Sequence, residues 1–207
     1  MNKDLGFNLE KWNETEAKEL NTFEQLKLGG HKIVIVEAGL YKGETGNISL
    51  KVAIDIAEGD PQAGYFKKQY ERNNNTDKKW SNSAIKYLSL KDDNLGYTKG
   101  FVTSLENSNE SFKFDFSKDW KQIIGLKCAG VFGLEEFMGQ DGIKTVTKLT
   151  GFRSLSKLNE IKIPDVKKID GSYVNYETYK KQENSVENVK AIFGNNSIEI
   201  SSEDLPF

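Results

Sequence analysis

The chain has 207 residues, room for one domain with extensions, and its 29 Lys and Arg against 31 Asp and Glu leave a formal charge of -2. That balance excludes a uniformly basic nucleic-acid binder and a highly acidic disordered chain, and no apolar run approaches the roughly 20 residues of a membrane span. A single His and a single Cys exclude a His/Cys zinc site and an internal disulfide.

Taken in chain order, residues 1–28 are polar, with Trp12, Leu20, Phe23, Leu26 and Leu28 at roughly helical spacing, which predicts a helix from about Glu14 to Gln25. No apolar stretch of a signal peptide follows Met1, and the lone Cys128 suits a reducing cytoplasm. Gly29 and Gly30 break the helix. Ile33 to Val36 is a β-branched run that reads as a buried strand, followed by a glycine-rich turn over Gly39 to Gly46. Ile48, Leu50, Val52, Ile54 and Ile56 then alternate with smaller or polar residues, which predicts a strand with one face buried and one facing outward.

From Gly59 to Asn82 the pattern turns polar, basic and aromatic without a clean period, as in a long functional insertion. Ile85 to Leu90 fits a short helix or strand, Thr98 to Glu106 a helix, and Leu126 to Phe137 a strand. Asp141-Gly142 is a hairpin signal, and Ile143 to Leu155 returns as a Thr/Val-rich strand.

A strand, strand, insertion, helix, hairpin order predicts a mainly β fold with short helices. The closest pattern is an OB-like five-stranded Greek-key barrel, with a helix between its third and fourth strands and the third strand hidden in 61–90. Beyond Leu158 the core signal fades into a Lys, Asn, Glu and Ser-rich stretch. The expected organisation is a helical extension over 1–28, the OB-like domain over 29–165, and a flexible linker with an acidic, disordered tail over 166–207.

The near-neutral charge conceals a polarity. Residues 28–168 hold 22 basic and 18 acidic groups, and 169–207 hold three Lys and seven acids. Residues 61–90 alone carry Lys67, Lys68, Arg72, Lys78, Lys79 and Lys86 against Glu71 and Asp77. Blind binding of a single strand needs cations for phosphates and flat rings for bases. Tyr65, Phe66, Tyr70 and Trp80 add the rings, and Arg153 extends the set, as would Lys32, Lys51 and Lys148. The same rings could equally serve as core, with the lysines a solvated face.

The sequence closes on Glu203-Asp204-Leu205-Pro206-Phe207. In this it resembles bacterial and phage single-stranded-DNA-binding proteins, which end in acids, an aliphatic residue, Pro and Phe. The body is similar to phage-encoded proteins of this kind through Gly64-Tyr65-Phe66-Lys67-Lys68-Gln69-Tyr70-Glu71, Lys99-Gly100-Phe101, Leu105 to Asn109, Phe152-Arg153-Ser154 and Lys162-Ile163-Pro164. The resemblance implies a non-enzymatic protein of phage DNA replication and recombination, located in the host bacterial cytoplasm. It would bind single-stranded DNA and recruit replication and recombination enzymes through Glu203, Asp204, Leu205, Pro206 and Phe207. A ring with a free carboxylate suits capture by a basic, pocketed partner. No cofactor, metal or membrane is expected, and a homo-oligomer is compatible with the sequence.

Two alternatives carry less of the sequence. An adaptor of the same machinery would use the body to bind protein. A metal-dependent nuclease would use Asp55, Glu58 and Asp60, but no Lys stands at a convincing spacing. His31 has no Ser/Asp partner pattern and Cys128 sits on an apolar strand, so neither reads as catalytic.

Overall fold

A computed structural model describes residues 9–15 and 24–183. Its elements are α1 (Leu9–Glu14), β1 (Gly29–Lys42), β2 (Ile48–Ile56), α2 (Tyr65–Arg72), β3 (Ile85–Ser89), α3 (Leu95–Ser108), β4 (Lys127–Gly139), β5 (Gly142–Arg153), β6 (Val166–Lys167) and β7 (Tyr173–Val174). The helix expected from Glu14 to Gln25 falls mostly outside the described residues; α1 precedes it, and Glu24 and Gln25 are not helical.

The protein is mainly β, with one mixed sheet and a few short helices. Strand order is β3-β2-β1-β4-β6-β7, with β5 on the other side of β4. Every pairing is antiparallel except β4 with β6, which meet at Glu135 and Lys167. The antiparallel registers leave β3 and β5 running in the same direction at the two ends of a five-strand run. No hydrogen-bonded ladder joins those two strands among the described residues, so the sheet is not closed.

Curvature comes from two bulges. In β1 the register shifts between Ile35 and Glu37, and in β4–β5 between Val131 and Phe132. An extra residue on one strand bends it and raises its twist. The inner faces then enclose Ile33, Ile35, Leu50, Val52, Ile54, Phe132 and Leu149, while α3 adds Phe101 and Leu105. Burying each large side chain contributes about 1.5–3 kcal/mol before ordering entropy is counted.

β2 departs from its expected one-sided pattern. Residues 52–57 are buried on both faces, because α2 and the following loop cover the outer side. Asp55, expected outward, is 6% exposed, and its Oδ1 accepts the backbone N–H of Phe66. β1 runs through the first part of the expected Gly39–Gly46 turn, and the reversal is confined to 43–47, closed by Gly43 N–H donating to Asn47 O at 2.9 Å. The hairpin forms as its Asp-Gly predicts, with Gly139 paired to Gly142 and Gly142 at φ 113°.

The sheet continues past residue 165, where sequence reading ended the body. Val166 is fully buried, and Pro164 lies against Gly133 so closely that a Cβ on that glycine would stand 2.5 Å from Pro164 Cγ. Lys167 pairs with Glu135 at 2.9 Å and Lys168 with Glu136 at 2.7 Å. Residues 176–183 then form a helix, from which Tyr179 lies 5.2 Å from the Lys168 ammonium. A composition this polar carries no periodic core signal, and the packing of Pro164 and Val166 acts with ion pairs to hold the segment in place.

Candidate nucleic-acid interface

The insertion expected to be irregular contains an ordered helix. Gly64 enters α2 at φ 70°, a left-handed conformation that favours glycine, and Phe66 N–H is taken by Asp55. Only Phe66 of this helix is fully buried, stacked on Phe132 with ring centres 6.1 Å apart. At 2% exposure it belongs to the core and offers no face to a base.

The other three predicted rings lean on that core. Tyr65 meets Phe66 edge-on at 5.1 Å. Trp80 is half-buried, donating its Nε1–H to Ile54 O at 3.0 Å. Tyr70 packs on Trp80 at 5.7 Å, and Lys78 places its ammonium 4.7 Å from the Tyr70 ring centre. Such a cation–ring contact contributes about 0.5–1 kcal/mol at an exposed site. Lys67 and Lys79 face outward beside Glu71 and Asp77, and Lys68 donates to Ala63 O. Arg72 is likewise exposed at the end of α2. The structure thus brings Lys67, Lys68, Tyr70, Arg72, Lys78 and Lys79 onto one helix and its following loop.

Lys86 and Arg153 belong elsewhere. They line an open groove over the β3–β5 opening, to which none of residues 61–80 contributes. Burial holds the Lys86 pKa below the ordinary lysine value; the negative charge of Glu135 opposes that shift, and the positive charges of Lys148 and Lys167 reinforce it. Glu135 bridges those last two lysines. Burial raises its pKa, but the hydrogen bonds from Lys167 and Lys148 outweigh that and hold the carboxyl below its usual range. Of the other cations considered, Lys51 pairs with Glu37 and Lys148 with Glu135.

Sequence reading missed the exposed tyrosines of this groove: Tyr87 on β3, Tyr97 on α3 and Tyr173 on β7. Tyr97 carried a signal, standing in a glycine-flanked Gly-Tyr-Thr-Lys-Gly stretch.

Of the candidate catalytic groups, Asp55 and Asp60 have structural partners, while Glu58 is exposed. Asp60 accepts from Lys32 N–H and Gln62 N–H and pairs with His31 at 3.1 Å. Cys128 is buried, which pushes its thiol up to about 12, far from a reactive thiolate. Among the described residues, no three His, Cys, Asp or Glu side chains converge as metal ligands, and no helix is long and apolar enough to cross a membrane. The tail residues Glu203 to Phe207 lie outside the described residues. No protein-family model and no curated protein sequence matches this chain.

Proposed function

We propose that this chain binds single-stranded DNA without sequence preference and without catalysis, in phage DNA replication and recombination. The observation that carries this is the set of outward-facing cations of α2 and its loop, with Lys67 and Lys79 largely exposed near the half-exposed Tyr70. A flexible row of lysines can follow a phosphate backbone, each contact releasing counterions. The strand order supports it as well. A β1–β3 meander, helix α3 and a β4–β5 hairpin on the far side of β1 are compatible with an OB-like Greek key, in a sheet that is not closed between β3 and β5. Recruitment of enzymes through Glu203 to Phe207 rests on the resemblance of those residues.

Fluorescence anisotropy with labelled oligo-dT, set against a duplex of equal length across a salt series, tests the proposal. Single strands should bind more tightly, with affinity falling steeply as salt rises. Equal or absent binding to the two would overturn it. Removal of residues 201–207 should leave this affinity intact or raise it, while abolishing capture of replication enzymes.

A further inference from the structure

The groove over the β3–β5 opening has a volume of about 860 Å³. Its rim carries three accessible rings, with Tyr87 48%, Tyr97 78% and Tyr173 66% exposed. No Asp or Glu lines it, in a chain where acids outnumber bases. Lys86 reaches into it with no hydrogen-bond acceptor among the described residues, and Arg153 spends one N–H on its neighbour's carbonyl, Phe152 O, at 2.8 Å.

The α3 wall is bare where it meets the groove. A Cβ at Gly96 or Gly100 would meet nothing within 4 Å, so the helix backbone is open to a flat ligand there. Tyr87 packs against Tyr41, ring centres 5.0 Å apart. Rings that are accessible, two cations without a salt bridge of 4 Å or less and a lining without acids together describe a site for a polyanion with flat groups. Base–aromatic stacking tolerates any sequence, because every base has a π-face.

We propose that this groove is the base-binding site, where a single DNA strand stacks its bases on Tyr87, Tyr97 and Tyr173 and sets phosphates against Lys86 and Arg153. This rests on the single-stranded-DNA reading and goes beyond it: the cations of α2 supply electrostatic attraction, and the groove supplies the stacking. Tyr173 enters the site from β7, so the segment pinned by Glu135 and Glu136 is part of the binding surface. A duplex is discriminated against, because its paired bases present no free faces to the tyrosines.

The full chain with labelled oligo-dT provides the test. Tyr97→Ala and Tyr173→Ala should each weaken binding about tenfold at every salt concentration, leaving the salt slope unchanged. Lys67→Ala with Lys79→Ala should instead flatten the slope. Gly100→Met fills the groove from a helix position with room for it, so binding should fall while the thermal midpoint holds or rises. Photo-crosslinking of bromodeoxyuridine-substituted single strands to the unmodified protein should map to Tyr87, Tyr97 or Tyr173. If the protein prefers single strands, yet the groove variants bind as the parent does and crosslinks fall within 61–80, the groove assignment is overturned and the broader reading stands. If the parent shows no preference for single strands, the broader reading fails.

Discussion

The carboxylate of Asp55, inside the sheet on β2, accepts the backbone N–H of Phe66 at 2.9 Å and so provides the N-terminal cap of α2 from another element. The same oxygen takes Ile56 N–H at 2.8 Å. Asp55→Ala would leave both donors buried without an acceptor, and each unsatisfied group costs about 1–3 kcal/mol. Urea denaturation should show a loss in that range or above, with Asp55→Asn losing less because its amide oxygen still accepts. An unchanged midpoint for Asp55→Ala would sink this account of the cap.

A second buried polar junction ties the loop after β2 to the start of β1. His31 and Asp60 side chains are each 6% exposed and meet at 3.1 Å, while His31 Nε2 lies 2.9 Å from Lys27 O. Each buried donor that loses its acceptor costs about 1–3 kcal/mol. Asp60→Ala also frees the N–H groups of Lys32 and Gln62, so its loss should reach that range in thermal or urea unfolding. A loss under about 1 kcal/mol would show the junction to be dispensable.

Acidification should release the segment that carries Tyr173. Burial raises the pKa of Glu136, but the bonds from Lys168 and from Ile169 N–H outweigh it, so the folded carboxyl titrates below its ordinary value. A group with a lowered folded pKa stabilises fully above its unfolded value, about 4.3 for Glu, and loses that contribution as pH falls through the folded value. Hydrogen exchange over residues 166–174 should therefore accelerate relative to the β1–β2 core on going from neutral to strongly acid pH. Glu136→Gln should show the faster exchange already at neutral pH. Equal protection at both pH extremes would contradict the pinning role.

Cys128 offers a reporter of global opening. The chain has one thiol, fully buried on β4, its pKa pushed up to about 12 by burial. A disulfide reagent at neutral pH should label it only through unfolding, with a rate that rises with denaturant as the unfolded fraction does. Rapid labelling of the native protein would place the β4 core nearer solvent than described.

Legibility of the fold followed the reach of each interaction. β2 and β5 could be read from local pattern, because the neighbours that bury them leave an alternation or a β-branched run in sequence. α2 could not. Its start is set by Asp55, eleven residues earlier, and Phe66 is its only fully buried side chain, too little for a helical period. β6 and β7 are two residues each, too short for a periodic apolar signature; β6 is held to β4 by buried Val166 and Lys–Glu pairs, and β7 pairs with β6. Among the binding candidates, Lys86 and Arg153 were legible as cations, but the groove they share with Tyr97 and Tyr173 joins six separate stretches of chain. Such a surface exists only after folding.

β4 pairs with β1, β5 and β6, and is the junction of the whole sheet. The meander β1–β3 and the hairpin β4–β5 each close through nearby residues, whereas Gly29 finds Phe132 about a hundred positions away. Contacts of that sequence separation are the slow ones, since their chain-closure entropy is met before they return any stabilisation. On the ribosome the meander is complete long before its β4 partner emerges, and its exposed β1 edge waits unpaired throughout that interval. Refolding followed by stopped-flow tryptophan fluorescence should accordingly fall in the millisecond-to-second range typical of non-local β topologies, and a shortened loop between α3 and β4 should speed it.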